Sequence, residues 1–160
     1  IDIDTVNEAF DVRDLLEVEA TRLAAGAIDA AGRAKLRAII AECDALAALP
    51  ERRLQDDLRE LQIGIELHRT IAELAGNRLL SNLMDGVLDR CQAYVWLDVT
   101  NLNSFGDARE EHRAIVEAIC NGDAETAVAL TRRHVSEARE GILSVLRLRR
   151  SVYDTMNRTG

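Results

Sequence analysis

Aromatic side chains and proline are scarce in this sequence. Phenylalanine, tryptophan and tyrosine together make up 3% of its 160 residues, and Pro50 is the single proline. Apolar residues still reach 48%, so leucine, isoleucine, valine and alanine have to fill the core of one compact domain. With so few helix breakers, long stretches of the chain are free to form helices.

Two further absences exclude a membrane protein and a disulfide-stabilised one. No apolar run approaches the roughly 20 residues that a membrane-spanning helix requires, so we expect no membrane partner. The three cysteines, Cys43, Cys91 and Cys120, are odd in number and show no CxxC spacing. They are typical of buried thiols in a reducing cytoplasm, which is where we expect the protein.

Basic charge is also in short supply. The chain has 20 lysines and arginines against 28 acidic residues, a formal net charge of −8. A surface of that sign repels the phosphate backbone, so this segment is not expected to bind DNA by itself. Because the sequence begins at Ile1 without a signal-peptide pattern, we interpret it as part of a longer protein. Our division is a linker remnant at 1–10, one domain at 11–150 and a C-terminal tail at 151–160.

Apolar residues recur at helical spacing nearly from end to end, and no sustained strand-like alternation interrupts them. This periodicity predicts an all-α antiparallel bundle of about six helices, over residues 11–27, 31–48, 50–75, 78–100, 107–120 and 124–150. The predicted buried face of the first helix consists of Val12, Leu15, Leu16, Ala20, Leu23 and Ala24.

Residues that favour helix ends divide the predicted helices. Asp11 is a candidate N-cap for the first helix, and Pro50 suits the first turn of the third. Gly76-Asn77 is expected to end the third helix and cap the fourth, and 101–106 to form a polar connector. Asp107 with Glu110 resembles a capping box for the fifth helix. Residues 121–123 (Asn-Gly-Asp) are expected to end that helix and cap the sixth.

The only three histidines, His68, His112 and His134, lie on the apolar faces of three different predicted helices. Taken one at a time, each is more simply explained as a core histidine with a hydrogen-bond partner. Taken together, they predict a metal site, because neutral imidazole binds zinc and similar divalent ions well. A shared ion would also remove the cost of burying three unpaired rings, about 1–3 kcal/mol each. Periodicity alone does not show that the rings converge.

Three sequence motifs in order resemble one known domain family over almost the whole chain. They are Val12-Arg13-Asp14-Leu15-Leu16-Glu17, then Leu67-His68-Arg69-Thr70-Ile71 running into Ala75-Gly76-Asn77, and Glu111-His112-Arg113-Ala114-Ile115 leading through Gly122-Asp123 to His134. The chain resembles the C-terminal effector-binding domain, called FCD, of GntR-family transcriptional regulators in the FadR group. The resemblance implies an N-terminal winged helix-turn-helix absent from this chain, through which alone operator DNA would be bound. It also implies a homodimer.

The same resemblance implies a small-molecule effector, an organic acid, bound beside a divalent metal. The metal would be zinc, with nickel or manganese as alternatives, and its ligands would be His68, His112 and His134. Arg13 matches a family arginine that would hold an effector carboxylate through paired donors. A structural salt bridge to a nearby acid explains Arg13 equally well. We also assign Tyr94 to the effector site.

One position departs from the family pattern. The family's acidic metal ligand lies four residues before the first histidine, where this chain has Gly64. We therefore expect either that water or the effector completes the metal shell beside Gly64, or that the cavity binds its ligand by hydrogen bonds alone.

We expect a sensory domain and not an enzyme. The alternative is an all-α metal-dependent hydrolase, since three histidines and an open position also describe a hydrolytic zinc site. Against it, no carboxylate is evident in the sequence as a general base near the histidines, and nucleophile motifs are missing. A helical dimerisation module without a ligand is a third interpretation.

Overall fold

The structure is a computed structural model that describes residues 2–98 and 105–158. These residues form six α-helices and no strand, which confirms the predicted all-α bundle. The helices are α1 (Ile3–Ala27), α2 (Ala30–Ala47), α3 (Leu54–Leu74), α4 (Arg78–Asp98), α5 (Phe105–Cys120) and α6 (Ala124–Arg158). Among the described residues, no helix has both the length and the apolar character needed to cross a bilayer.

The two glycine-containing connectors behave as predicted. Gly76 and Gly122 both adopt φ of +71°, a left-handed conformation that glycine reaches without steric cost and that ends α3 and α5. Asn77 then caps α4, because its Oδ1 accepts a hydrogen bond from the Leu80 amide at 3.1 Å. Asp123 caps α6 in the same way, through the Thr126 amide at 3.1 Å.

The predicted start of α1 is wrong. The helix begins at Ile3, eight residues earlier than expected, and Asp2 is its N-cap in place of Asp11. Val6 and Phe10 have no exposed surface, so the first turns pack into the domain although their sequence is polar elsewhere. The assignment of 1–10 to a linker therefore fails as a description of local structure, while the domain limits of the whole protein stay a prediction.

Three other helix ends also differ from the predictions. Pro50 lies before α3, which begins at Leu54. Arg53 is the N-cap of this helix, and its amide donates to the Asp56 carboxylate at 2.8 Å. Asp107 lies in the first turn of α5 and is not its N-cap. Helix α6 continues to Arg158, through most of the predicted tail. Of the predicted connector at 101–106, residues 101–104 lie outside the described part of the chain.

Helix α1 is the central element, since it packs against α3, α4, α5 and α6. Its buried face differs from the predicted one: Leu15 is 72% exposed and Val12 is 45% exposed. The residues of α1 that are buried are Val6, Phe10, Arg13, Glu17, Ala20, Thr21, Ala24 and Ala25. A charged pair therefore occupies the core-facing side of α1, and two apolar side chains face outward.

The core consists of three apolar clusters joined by α1. The first contains Ala24, Leu36, Leu67, Ile71, Ile115 and Ile119. The second contains Val6, Phe10, Cys91, Tyr94, Val135 and Ile142, and the third Ala20, Ala72, Leu80, Met84 and Leu88. The three cysteines are buried and free, as predicted. Since each cluster takes residues from α1 and from at least one other helix, the polar side chains of α1 are held in fixed positions inside the bundle.

Candidate metal centre

The three histidines meet inside the bundle. His68 comes from α3, His112 from α5 and His134 from α6, and one ring nitrogen of each lies within 4.8 Å of the others. Their ring centroids are 4.6 to 5.1 Å apart. His68 and His134 are buried, and His112 is partly buried. The structure thus brings together the three residues that the sequence placed on separate apolar faces, and their role as ligands stays a prediction.

Two carboxylates that the sequence interpretation missed contact this histidine trio. Glu17 Oε1 is in direct contact with His68 Nδ1, and Glu111 Oε2 lies 2.6 Å from His134 Nδ1. Two carboxylates therefore lie beside the histidines, where the sequence interpretation found no obvious general base. Glu17 belongs to the first motif, one turn after Arg13, and Glu111 directly precedes His112. The signal in the sequence is the four-residue spacing of Arg13 and Glu17, which is that of an ion pair along one helix face.

Two ring nitrogens of the trio, one on His112 and one on His134, face each other. His112 Nε2 lies 3.2 Å from His134 Nε2, within hydrogen-bond distance. Two imidazole nitrogens bound to one tetrahedral zinc, each at 2.0–2.1 Å, lie about 3.4 Å apart. The observed separation therefore fits two ligands of one ion with little adjustment of the rings. The donor set, three imidazoles with carboxylates behind two of them, is also one in which divalent ions such as zinc are bound.

Burial keeps these histidines neutral at physiological pH. Desolvation lowers the pKa of His134 to about 4 and that of His112 well below 6.5. The pKa of His68 is also lowered by burial, although Glu17 opposes the shift. Neutral imidazole has a lone pair available for an ion, so binding of an ion requires no net loss of protons from the three rings.

Arg13 forms the salt bridge that was one of its two predicted roles. Its Nε donates to Glu17 Oε2 at 2.7 Å, and both side chains are at most 5% exposed. Burial alone would raise the pKa of Glu17, but Arg13 and then His68 lower it below its ordinary value. Arg13, Glu17 and His68 therefore form a continuous buried chain from α1 to α3. A role of Arg13 in holding an effector stays a prediction.

Gly64 lies one turn before His68 on α3, and its backbone is close to the His112 ring. A Cβ at position 64 would be 3.1 Å from His112 Cε1 and 3.8 Å from its Nδ1. The first distance is shorter than an ordinary carbon–carbon contact, so any larger residue would require the ring to move. The position of the His112 ring therefore depends on the lack of a side chain at Gly64.

Tyr94, the other residue assigned to the effector site, is packed among apolar side chains. It is 6% exposed and belongs to the apolar cluster with Val6, Phe10 and Cys91. An effector-binding role for Tyr94 stays a prediction that these contacts do not support.

A second buried carboxylate lies on the same side of α3 as Gly64. Glu60, one turn earlier, is 6% exposed and forms ion pairs with Arg109 at 2.7 Å and with Arg52 at 2.6 Å. Arg109 is three residues before His112 on α5. This ion cluster links α3 to α5 next to the histidine trio, and so fixes the two helices that carry His68 and His112.

Comparison with known proteins gives one family and one fold. The model of the FCD domain family matches residues 8–137. A solved structure described as Streptococcus agalactiae GntR is similar over 87% of this chain, with a TM-score of 0.67 and 22% sequence identity. This chain spans 60% of the length of that structure, and at this identity the likeness shows the fold alone. No curated protein matches the chain.

Proposed function

Because the chain belongs to the FCD domain family, we propose that it is the effector-sensing and dimerisation domain of a bacterial GntR-family transcriptional regulator of the FadR subgroup. Operator DNA would be bound by an N-terminal winged helix-turn-helix outside this chain. The net charge of −8 supports this division of labour, since this domain repels nucleic acid.

The observation that carries the proposal is the convergence of three neutral imidazoles from three helices. His68, His112 and His134 would hold a divalent ion, zinc in the first instance and nickel or manganese as alternatives. Three protein ligands leave a coordination position open, through which the ion would bind the carboxylate of a small organic acid. Without a side chain at Gly64, the protein supplies no acidic ligand on that side of the ion.

The packing of the trio supplies a route from effector to helix arrangement. His68, His112 and His134 belong to α3, α5 and α6, and Glu17 ties His68 to α1. An effector that prefers one spacing of these rings would favour the corresponding packing of four helices. That is a shift between two populations, and its size equals the difference in effector affinity for the two packings.

The first experiment is metal analysis of protein purified without a chelator or a polyhistidine tag. We expect close to one equivalent of divalent metal per chain, and loss of that metal in His112→Ala. Arg22→Ala is the matched control, since its ion pair with Glu19 is on the surface. Less than a tenth of an equivalent in the unmodified protein would contradict the metal site.

The second experiment identifies the effector class. Thermal unfolding is recorded with a panel of organic acids, for the metal-loaded chain and for His112→Ala. Stabilisation of the first protein only, without consumption of the acid, is the expected result for a sensor. Sedimentation should give a particle of twice 17.7 kDa if this domain carries the dimer contact.

A metal-dependent hydrolase is the competing function, now that two carboxylates are known to lie beside the trio. Both are engaged with an imidazole Nδ1, and Glu17 is also paired with Arg13. Neither oxygen is thus placed to take a proton from a water bound on the Nε2 side, which favours the sensor. Turnover of an ester or amide by the loaded domain would favour the enzyme, and no response to any compound would favour a dimerisation module.

A further inference from the structure

Glu17 and Glu111 contact the histidine trio at Nδ1 atoms. Glu17 approaches His68 from α1, and Glu111 approaches His134 from α5. An ionised carboxylate has no proton to give, so in the Glu111–His134 hydrogen bond the imidazole Nδ1–H is the donor. The close contact of Glu17 Oε1 with His68 Nδ1 favours a proton on that nitrogen as well, because a lone pair there would face the carboxylate charge. A neutral imidazole protonated at Nδ1 has its lone pair on Nε2. Both carboxylates therefore select the same tautomer.

The tautomer of the third histidine, His112, then follows from its contact with His134 in the ion-free protein. His134 Nε2 has a lone pair and lies 3.2 Å from His112 Nε2. A hydrogen bond between two nitrogens needs one proton, so His112 Nε2–H must be the donor. Its own lone pair is consequently on Nδ1, which would lie 3.8 Å from a Cβ added at position 64. His112 is the one histidine of the three without a carboxylate partner among the contacts at the site.

We propose that Glu17 and Glu111 are positioning residues that present His68 Nε2 and His134 Nε2 to one ion, and that His112 is the ligand that changes tautomer when the ion binds. The inference rests on the proposed metal site. On binding, the proton leaves His112 Nε2 and a proton is taken up at His112 Nδ1, so the ring stays neutral and the exchange with water is balanced. The hydrogen bond between His112 and His134 is replaced by two nitrogen–metal bonds.

The two carboxylates differ in their other contacts and in their exposure. Glu17 is also bound to Arg13, so its position is set by a buried ion pair. Glu111 is 16% exposed, and its loss leaves no buried charge behind. Substitution of Glu17 would leave the Arg13 guanidinium buried without a partner and would endanger the fold. Glu111 therefore carries the test.

The test measures zinc affinity and imidazole tautomers in the same protein. Zinc dissociation constants come from competition with a chromophoric chelator, and tautomers from ¹⁵N resonances of the ring nitrogens before and after zinc addition. The variants are Glu111→Ala, which removes the acceptor, and Glu111→Gln, which keeps a neutral one. Glu110→Ala is the matched control, because Glu110 is the preceding residue, is 71% exposed and pairs only with Arg113 among the described ion pairs.

In the unmodified protein we expect Nδ1–H on His68 and His134 and Nε2–H on His112, with His112 converting to Nδ1–H when zinc binds. Glu111→Ala should weaken zinc binding about 10- to 100-fold and turn His134 into a mixture of tautomers. Glu111→Gln should recover part of the affinity, and Glu110→Ala should stay within twofold of the unmodified protein. A purely structural role for Glu111 would not move the His134 resonances.

Two results would overturn the inference. One is an Nε2–H tautomer of His134 in the unmodified ion-free protein. The other is Glu111→Ala with unchanged zinc affinity and unchanged tautomers. If the unmodified protein binds no zinc while Glu111→Ala still releases the His134 tautomer, the metal site of the proposed function fails and the orienting role of Glu111 is supported. The failures of the two proposals are thus distinguishable.

Discussion

Acidification of the ion-free domain should destabilise it, because its histidines are neutral when folded and accept protons when unfolded. The pKa of His134 is about 4 in the folded chain, lowered mainly by burial, and 6.5 in the unfolded chain. The stability that depends on its neutral form is present above pH 6.5 and is lost as the pH falls towards 4. Between pH 8 and pH 5 this single group should lower the free energy of unfolding by about 2 kcal/mol.

The other titrating groups at the site do not reverse this expectation. Burial lowers the pKa of His68 and His112 in the same direction, so their protonation in the unfolded chain adds to the loss. The pKa of Glu17 is also lowered, but this carboxyl contributes stability that is lost only below its unfolded value near 4.3. The loss of stability between pH 8 and pH 5 therefore comes from protonation of the histidines.

The assay is urea denaturation in the presence of a chelator, followed by far-ultraviolet circular dichroism at several pH values. His134→Gln is the comparison, since glutamine keeps a polar partner for Glu111 and does not titrate. The unmodified chain should lose about 2 kcal/mol more than the variant between pH 8 and pH 5. Equal losses in the two proteins would refute the reasoning, because they would mean that His134 accepts its proton as readily in the fold as in water.

Three further substitutions test the packing around the site. Gly64→Ala should weaken zinc binding, because its Cβ would approach His112 Cε1 to 3.1 Å. The free energy of unfolding should change by less than about 1 kcal/mol, since alanine favours the helix. Unchanged zinc affinity in a chelator competition would count against this close contact. Phe10→Ala should lower the free energy of unfolding, measured with urea, by about 3–5 kcal/mol, because Phe10 is fully buried. Leu15→Ala should lower it by less than about 0.5 kcal/mol, because Leu15 is 72% exposed. Similar losses in the two variants would contradict the assigned buried face of α1. Glu60→Gln should cost about 3 kcal/mol, because two guanidinium groups lose their shared carboxylate, and a cost below about 1 kcal/mol would show that the cluster behaves as a solvated surface pair.

The sequence predicts the helices, and the apolar faces on which the three histidines lie, because both depend on local periodicity. Gly76 and Gly122 end helices by their positive φ, and Asn77 and Asp123 cap the helices that follow, all within a few residues of chain. Such features need no knowledge of distant partners. They could therefore be predicted from spacing alone.

The buried face of α1 could not be predicted in that way. Hydrophobic pattern favours Leu15 and Val12 over Arg13 and Glu17, yet the charged pair is the one inside. Each of the two charges is acceptable in the core only because the other is there and because His68, from α3, completes the contact. That condition is tertiary, so a window of sequence around α1 does not contain it. The same reason explains why the carboxylates beside the trio were missed.

The 35-residue length of α6 has a mechanical consequence. His134 lies near the start of the helix, and Arg158, its last residue, is about 36 Å further along the axis at 1.5 Å per residue. A straight helix of that length that tilts by 5° about His134 moves its far end by about 3 Å. Leu148, Val152 and Met156, which recur every four residues on the distal part and are more than half exposed, would travel with it. A tilt of that size at the histidines would thus move the end of α6 far enough to remake a contact there.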